Sequence, residues 1–533
     1  MKKNIVIFLF FIAGFFTNSC AQDLTDFSAE DFFKVGDYNR ALDGYKKLFK
    51  TSKDKVLVNY RIGQCILKVN VDKSLAIPYL EFVFKNGKYD DELLFDLGLA
   101  YMYAYQFDKA INYFLDFKMQ VGVKKSQEAD RYIENCKNAP ILMQHPIDVK
   151  FINLGKTINS KFPDYYPFVT KNEGALYFTS RREANQSKIK SWQGYFTADV
   201  YSSKVVNGAW TKAKGIGPII NTAEDEECVG ISPSGEKMVL YADNLSVSGD
   251  LFLSKLEGKK KVFSKPIPFD SQINTEFLEL EGCINEDASI LIVSSDRPKG
   301  LGGMDLYMFK KLPNDQWGAA INLGPQVNTK YDEAFPIFDE DNNILYFASE
   351  GHLNMGGFDI FVSNYNVKTG KFEEAVNIGY PINTPEDNMQ FTLADNKRDG
   401  YVSAVRKEGF GDLDLYKVEF QNVEENVSVI RGHLSTSDNL KKPIEAFVNL
   451  LDAKTNDTLF SKDANPKTGK FVFAVPTGNY IINVSSEGYD EVNLPVNVLG
   501  KSDRVFDIEK NIVLIKSGTV KPPVNNKVIP KGK

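Results

Sequence analysis

The chain has 533 residues, too many for one hydrophobic core, and should fold as about three or four domains. Its formal net charge of -6 at pH 7 argues against binding of nucleic acid, which requires a basic surface. The histidines are few and far apart, at His145, His352 and His433, which argues against a multi-histidine metal site or a histidine-based catalytic triad.

Residues 1–21 have the pattern of a secretion signal. A basic pair at residues 2–3 precedes an apolar run over residues 5–16, which is shorter than the ~20 residues needed to span a bilayer. Two processing sites compete at the end of this segment. Residues 17–20 form a relaxed lipobox without its usual Leu, which would leave a lipidated Cys20, whereas cleavage after Ala21 would leave Gln22 as the first residue. Both interpretations predict export from the cytoplasm.

Residues 25–139 show a helical pattern with a period of 33 to 36 residues. The period separates the small residues Ala41, Ser74 and Ala110. It is close to that of the tetratricopeptide repeat (TPR), which needs a small residue where its two helices cross. The region therefore resembles three TPR units, capped by a polar helix over residues 124–137, and a solenoid with a binding groove is expected. An unrelated helical bundle is the alternative.

Residues 146–421 contain five copies of one pattern of about 54 residues. Each copy ends in an aspartate followed by a β-prone pair, at Asp199, Asp250, Asp305, Asp359 and Asp414. A second marker, Ile/Val-Asn-Ser/Thr, keeps step with the first and places its asparagines at Asn159, Asn221, Asn274, Asn328 and Asn383. Strand-length runs between Gly, Pro and Asn turns, repeated at a fixed period, predict the blades of a β-propeller.

These copies resemble the WD40-like repeats of the TolB propeller family, and they predict about five blades. The first copy has a longer excursion, from Arg181 to Ala198, so a sixth, degenerate blade is the alternative. The recurring aspartates are expected to accept hydrogen bonds from amides of the Gly-rich turns. Their role is expected to be structural, because a catalytic residue is usually needed once rather than five times.

Residues 427–516 are predicted to form short strands bounded by turn residues. Their order resembles a carboxypeptidase-regulatory-like domain, a small transthyretin-like β-sandwich that is non-catalytic in its family. The proline- and lysine-containing segment 517–533 is typical of a flexible tail.

The order of signal segment, TPR units, five-fold propeller and sandwich resembles a periplasmic component of the type IX secretion and gliding machinery. The resemblance implies a non-enzymatic scaffold at the periplasmic side of the outer membrane, with no cofactor. Its partners would be outer-membrane secretion or gliding proteins, and it would contact the membrane only through a lipid on Cys20. The nearest relatives add a C-terminal OmpA-like domain that grips peptidoglycan, and no counterpart of it is expected before Lys533. Either an OmpA-like partner would then supply anchoring to the cell wall, or the chain would belong to a paralogous branch with another task.

The remaining polar clusters are expected to be surface features. Residues 339–343 have calcium-like chemistry but lack the loop Gly and distal Glu of an EF-hand, so an inter-strand turn is predicted. Residues 224–227 are predicted to form a solvated acidic bend, with a basic partner as the alternative. Ser234 lies outside any Gly-x-Ser-x-Gly frame. No catalytic, cofactor or metal residue is predicted.

Two further sets of residues bear on function. The aromatic candidates of the helical region are Tyr101, Tyr103 and Tyr105, and their spacing places at least one of them in the core. The cysteines after the signal segment are predicted to be buried free thiols, at Cys65, Cys136, Cys228 and Cys283. Paired carboxylates on a propeller leave a second hypothesis, a glycan-binding protein or glycoside-acting enzyme of the envelope.

Overall fold

The computed structural model describes residues 27–87, 90–188, 190–191, 194–244, 247–259, 261–394, 396, 398–421, 428–438, 444–475, 478–498 and 507–518. The predicted signal segment with Cys20, and the tail from residue 519 onward, lie outside these residues. The chain divides into two compact units, Met1–Gln421 and Asn422–Lys533.

The described part of the first unit begins with a layer of helices. Its members are α1 (Ala29–Val35), α2 (Tyr38–Thr51), α3 (Lys55–Lys68), a 3-10 helix (Lys73–Ala76), α4 (Ile77–Asn86), α5 (Glu92–Tyr103), α6 (Phe107–Gln120) and α7 (Val123–Leu142). Ser28 and Asp31 form a capping box that starts α1, and Gly36, with φ 87°, ends it in the left-handed conformation. None of the described helices is long and apolar enough to cross a membrane.

Consecutive helices pack closely because glycines lie at their crossings. A Cβ added to Gly63 of α3 would be 2.5 Å from Leu80 Cδ2 of α4. A Cβ added to Gly98 of α5 would be 2.5 Å from Phe114 Cε1 of α6. Both contacts are too short for any larger residue, so these two glycines set the distance between paired helices.

The last helix is longer than the sequence predicted. We expected a polar helix over residues 124–137, whereas α7 passes through Pro140 and ends at Leu142. Proline has no N–H, so it cannot donate to the carbonyl four residues earlier, but it does not end the helix here. Ala139, beside it, is fully buried, and this packing favours continuation of the helix.

The remaining part of the first unit consists of antiparallel sheets that contact one another in sequence order. The chain enters through β1 (Val149–Asn153). Blade 1 contains β2 (Asp164–Val169), β3 (Ala175–Ser180), β4 (Asp199–Val206), β5 (Ala209–Trp210) and β6 (Lys214–Gly215), with a 3-10 turn at Lys171–Glu173. Blade 2 contains β7 (Asp225–Ile231), β8 (Lys237–Asn244), β9 (Val247–Glu257), β10 (Val262–Phe263) and β11 (Ile267–Pro268).

The later blades repeat this order with fewer short strands. Blade 3 contains β12 (Glu279–Ile284), β13 (Ile290–Ser295), β14 (Asp305–Lys310) and β15 (Ile321–Asn322). Blade 4 contains β16 (Glu333–Asp339), β17 (Ile344–Ser349), β18 (Asp359–Asn366), β19 (Lys371–Phe372) and β20 (Val376–Asn377). Blade 5 contains β21 (Thr392–Leu393), β22 (Asp399–Ala404) and β23 (Asp414–Phe420), and β1 completes it.

The sheets close into a ring between the ends of this region. Strand β1 pairs antiparallel with β23, with Val149 opposite Phe420, so the first strand completes the last blade. Thr392 Oγ1 of blade 5 donates to Pro167 O of blade 1 at 2.6 Å, which joins the two neighbouring sheets. The described residues therefore form a five-bladed β-propeller, and they leave no place in the ring for a sixth, degenerate blade.

The second unit contains two small sheets around one hydrophobic core. Its strands are β24 (Ser428–Thr436), β25 (Phe447–Asp452), β26 (Thr458–Asp463), β27 (Lys470–Val475), β28 (Gly478–Ser485), β29 (Val492–Val498) and β30 (Asp507–Leu514). One sheet has the order β27-β24-β30, with β24 and β30 parallel, and the other has the order β26-β25-β28-β29. Both sheets contribute to the core, for example through Ile430 and Val448, which are fully buried.

Candidate functional site

The two repeated sequence markers meet in space and hold each blade together. Asn328 Oδ1 accepts a hydrogen bond from Leu306 N at 2.8 Å, and its Nδ2 donates to Leu306 O at 3.0 Å. Leu306 follows the repeated Asp305 in β14. The side-chain amide of Asn328 thus bonds to both backbone groups of Leu306, as a residue of a neighbouring strand would. The same pair of bonds joins Asn221 to Val200, Asn274 to Leu251, Asn383 to Ile360 and Asn159 to Leu415.

This pairing corrects the sequence prediction of which asparagine and which aspartate belong to the same blade. The sequence grouped Asn159 with Asp199 as the two markers of the first copy, whereas Asn159 binds the backbone beside Asp414 of the last blade. Each asparagine thus belongs to the blade that precedes it in the ring, and Asn159 fastens the closure. A linear repeat conceals this arrangement because the first and last copies are neighbours only in the folded ring.

The repeated aspartates hold the turn that precedes the third strand of their blade. Asp305 accepts from the amides of Leu301 at 2.6 Å and Gly302 at 3.1 Å, and from Asn322 Nδ2 at 2.8 Å. The amides of Gln186, Met355 and Phe410 donate in the same way to Asp199, Asp359 and Asp414 respectively. The corresponding turn before Asp250 lies partly outside the described residues. These contacts give the aspartates a role in turn structure.

A buried ionic cluster joins the inner strands of blades 1 and 2 near the centre of the propeller. Arg181 donates from Nη2 to Glu227 Oε1 at 3.0 Å and from Nη1 to Asp225 Oδ1 at 2.7 Å. Arg181 Nε also donates to Tyr165 Oη at 3.0 Å, and Tyr165 donates to Glu227 at 2.8 Å. Arg181 is only 4% exposed and Glu227 only 2%. Burial raises the pKa of Glu227, and the guanidinium beside it opposes that rise.

Aromatic and glycine contacts close the rest of the centre. The rings of Tyr166 and Phe335, from opposite inner strands, have centroids 5.1 Å apart, and both residues are buried. A Cβ added to Gly230 would lie 1.9 Å from Gly282 O, so strands β7 and β12 are in backbone contact. Glu281 lies in this region, 2% exposed, and one of its carboxylate oxygens has no described hydrogen-bond partner. The centre is therefore a packed core in which the acids are inaccessible.

These buried acids predict an unusual dependence of stability on pH. Burial raises the pKa of Glu281, Glu333 and Asp359 to about 8 in each case. The folded state therefore holds protons that the unfolded state releases above its ordinary carboxyl pKa of about 4. We expect the melting temperature to rise as the pH falls from about 8 to about 5. Glu281→Gln should flatten this slope in a calorimetric pH series, and an unchanged slope would contradict the assignment.

The structure contradicts the sequence prediction of a solvated acidic bend at residues 224–227. Glu224 is exposed, but Glu226 and Glu227 are buried at the start of the inner strand β7. Glu226 accepts from Thr222 N at 2.8 Å, and Glu227 pairs with Arg181. Sequence reasoning missed Arg181 because its acidic partners lie more than 40 residues away. Only the acids that recur four residues after the Ser/Thr of the marker could have indicated burial, at Asp164, Glu226, Glu279 and Glu333.

Helix α7 covers part of one propeller face. Arg131 Nη1 lies 3.0 Å from Glu350 Oε1, and the guanidinium lies 5.6 Å from the ring centroid of Tyr331. Asn135 Nδ2 donates to Gly356 O at 2.5 Å. Glu350 and Gly356 belong to the loop between the second and third strands of blade 4, and Tyr331 belongs to the connection from blade 3 to blade 4. The helix is therefore held both by a loop within the blade and by the connection between two blades.

Other helices reach the same face at blades 1 and 5. Asn70, after α3, donates to Asp412 Oδ1 at 2.7 Å, and Tyr195 of blade 1 donates to the other oxygen of this carboxylate at 2.7 Å. Tyr105 packs edge-on against Tyr380, with ring centroids 6.3 Å apart. Burial raises the pKa of Asp412, consistent with a contact that excludes water.

The equivalent loops of blade 3 form an open depression of about 660 Å³. This blade-3 depression is lined by Ser271, Asn274, Thr275, Glu276, Phe277, Arg297, Pro298 and Lys299. Phe277 and Arg297 stand one repeat before Tyr331 and Gly351, so the depression is the blade-3 counterpart of the place where Arg131 docks on blade 4. Arg297 is fixed by Glu279 at 3.0 Å, whereas Lys299 and Glu276 are exposed.

The other predicted sites have ordinary structural surroundings. Residues 339–343 form the β16–β17 turn, in which Asp341 pairs with Lys171. Tyr101 is buried, as the spacing required, and Tyr105 is 42% exposed. The four described cysteines, Cys65, Cys136, Cys228 and Cys283, are buried and free. Among the described residues, no group of three or more His, Cys, Asp or Glu side chains could hold a metal ion.

Comparisons with known proteins leave the family unassigned. No protein-family model matches the chain, and no curated protein matches it. Among solved structures, TolB from Acinetobacter baumannii is similar over 49% of this chain and 56% of its own, with 12% identity and a TM-score of 0.31. A glycoside hydrolase matches over 54% of this chain and 95% of its own, with 7% identity and a TM-score of 0.36. An α-L-arabinanase of Penicillium chrysogenum, complexed with arabinobiose, matches over 49% of this chain and 94% of its own, with 11% identity and a TM-score of 0.29. These likenesses are too low to support an inference about activity or partner.

Proposed function

We propose that this chain is a non-enzymatic scaffold at the periplasmic side of the outer membrane, where it joins proteins of the type IX secretion or gliding machinery. The order of its sequence modules supports the assignment to this machinery, and the signal segment supports export from the cytoplasm. Binding modules on one chain raise the effective concentration of their partners for each other, which is the physical basis of such a scaffold.

The finer fold assignments belong to the same proposal. The paired helices, with glycines at their crossings, support the interpretation of residues 25–139 as TPR units. The repeated Asn and Asp contacts support the TolB-type interpretation of the blades. The two sheets around one core support the assignment of residues 427–516 to a transthyretin-like, carboxypeptidase-regulatory-like sandwich.

The packed centre of the propeller favours a scaffold over a glycoside-acting enzyme. Hydrolysis of a glycosidic bond needs two carboxyl groups that reach the substrate from opposite sides. Glu227 is ion-paired with Arg181, and both Glu227 and Glu281 are buried among side chains. Binding is therefore expected on the outer surfaces of the propeller and helices.

The observation that carries the proposal is the repetition of a helix-docking site. Blade 4 holds α7 through Tyr331 and Glu350, and the blade-3 depression presents Phe277 and an exposed loop in the equivalent places. We expect a helix of a partner protein to dock there, with an acidic group near Lys299 and an apolar contact on Phe277. Central aromatic contacts of this kind dominate the binding free energy of protein interfaces.

Crosslinking in cells followed by mass spectrometry tests this function. The Phe277→Ser/Lys299→Glu variant should recover its envelope partner at least about ten-fold less efficiently than the parent chain, because loss of a central aromatic anchor costs about 2 kcal/mol. The control is Val376→Ser/Lys371→Glu, which likewise replaces one apolar residue by Ser and one Lys by Glu, at exposed positions on the outer edge of blade 4. Equal recovery by both variants would exclude the blade-3 depression as the docking site.

A further inference from the structure

The hairpin of α2 and α3 ends in a basic and apolar surface, here called the distal tip (residues 46–57). The tip contains five lysines and a single carboxylate, although the whole chain carries a net charge of -6. Its lysines are Lys46, Lys47, Lys50, Lys53 and Lys55, all of them exposed. The carboxylate, Asp54, accepts a hydrogen bond from Leu57 N and so caps α3.

Large apolar side chains are exposed between these lysines. Leu48 is 42% exposed, Phe49 is 39% exposed and Leu57 is 43% exposed. Lys55 Nζ donates to Phe49 O at 2.6 Å and lies 5.8 Å from the Phe49 ring centroid, so the tip has a defined shape. Three exposed apolar side chains among lysines suit a partner with a negatively charged surface and an apolar layer directly below that surface.

The tip points away from the propeller. The opposite end of the same hairpin carries the propeller contacts, since Asn39 near the start of α2 bonds to Tyr195 and Asn70 after α3 bonds to Asp412. Helix α2 has 14 residues and so spans about 20 Å. The tip therefore projects by roughly this length beyond the contact with the propeller, where a flat surface can reach it.

The N-terminal end of the described chain lies beside the tip. Helix α1 runs back along α2, with Glu30 accepting a hydrogen bond from Tyr45 Oη and Ala29 lying against Gly44. Phe27, the first described residue, is 42% exposed. Only six residues separate Phe27 from Cys20, the proposed lipid attachment point, and six to seven extended residues span at most about 25 Å.

We infer that the distal tip is a membrane-contacting surface that binds the anionic phospholipid headgroups of the leaflet in which the N-terminus is anchored. Lysines near an anionic leaflet are attracted to its surface potential, and the exposed Leu and Phe side chains can enter the headgroup region. The inference rests in part on the proposed attachment to the outer membrane. A membrane fits better than an acidic protein, because the nearby chain end is the place where the proposed lipid would hold the tip against the bilayer.

The corresponding end of the next helix pair supports this selectivity. The start of α5 carries Asp90, Asp91 and Glu92, so it is acidic where the distal tip is basic. This acidic end lies beside α3, since Tyr60 Oη donates to Asp90 Oδ1 at 2.7 Å, so an anionic surface would select the α2–α3 end over its neighbour. This placement would leave the blade-3 depression available to a protein partner.

Vesicle co-sedimentation of the chain from Gln22 to Lys533, without lipid, tests the inference. The probes are vesicles of phosphatidylethanolamine with phosphatidylglycerol and vesicles of phosphatidylcholine alone. We expect binding to the anionic vesicles only. Reversal of Lys47, Lys50 and Lys53 to Glu should weaken it at least about 100-fold, since each basic residue near an anionic leaflet contributes a factor of about five.

Two variants separate the tip from charge in general. Reversal of Lys204, Lys212 and Lys214, which are exposed on blade 1, changes the net charge equally and should leave binding unchanged. Phe49→Ser keeps the charge and should weaken binding about ten-fold, because insertion of the ring is lost. Equal binding by the tip and blade 1 reversals would overturn the inference.

Failure of vesicle binding has a different meaning for the distal tip and for the scaffold proposal. Absence of binding to anionic vesicles would overturn the inference, and crosslinks from tip lysines to an acidic protein would then identify that protein as the occupant of the tip. The assay contains no protein partner, so its failure would leave the scaffold proposal standing. Conversely, loss of the scaffold proposal would leave vesicle binding by the tip intact.

Discussion

Replacing Arg181 by Met should lower the free energy of unfolding of the propeller by about 3–5 kcal/mol. The guanidinium is the buried cation between Glu227 and Asp225, at 3.0 and 2.7 Å. Its removal leaves Glu227 buried, and Asp225 partly buried, without that ion pair, and the cost of an uncompensated buried charge exceeds the value of the pair itself. All three tryptophans lie within residues 146–421, so urea unfolding followed by tryptophan fluorescence reports on this region.

A second variant identifies the cause of this loss. Arg181→Met/Glu227→Gln removes one of the stranded charges and should recover about half of the lost stability, which a double-mutant cycle would show. Lys212→Met, at an exposed position on blade 1, should change the unfolding free energy by less than about 0.5 kcal/mol. If Arg181→Met behaved like Lys212→Met, the buried ionic cluster would not stabilise the centre.

Asn159→Ala should also destabilise the propeller, by about 1–3 kcal/mol. The change leaves the N–H of Leu415 without its partner, and a buried unpaired backbone group is costly. The C=O of Leu415 keeps the hydrogen bond that it accepts from Leu154 N at 3.1 Å. The same fluorescence assay measures the change in unfolding free energy. Because Asn159 joins the first part of the ring to the last blade, hydrogen exchange should also become faster in β1 and β23 than in the other strands.

Two matched asparagine variants test this account of ring closure. Asn328→Ala removes the same pair of bonds from Leu306 within the ring, so its loss of stability should be similar but its hydrogen exchange should change at blades 3 and 4. Asn364→Ala changes an exposed asparagine of β18 and should have little effect. Identical exchange patterns in Asn159→Ala and Asn328→Ala would contradict a special role for Asn159 in closure.

The sequence predicted the propeller because its blade contacts are repeated and local. Each marker asparagine bonds to a backbone about 22 positions earlier in the same blade. The same bonds require the same residues in each blade, so the Asn and Asp markers recur at a fixed period. The exception was Asn159, whose partner lies 256 residues away, because ring closure brings together the two ends of the region. A single linear repeat contains no signal for that contact.

The burial of the central acids could not be predicted from local pattern. Strand β7 changes register between Cys228 and Gly230, so the alternation of side chains that identifies a buried face is interrupted there. Glu227 stands just before this shift and meets Arg181 from another blade, and the acidic run that was predicted to be solvated is half buried. The contact of α7 with the propeller face could not be predicted either, because Arg131 and Glu350 are separated by most of the propeller sequence.

The measurement that tests the scaffold most directly is in-cell crosslinking of the tagged parent chain, with residue-level mapping of every crosslink after mild detergent extraction. The account predicts outer-membrane secretion or gliding proteins in stoichiometric amounts, with crosslinks to Lys299 beside the blade-3 depression. Recovery of the chain without any envelope partner would contradict it.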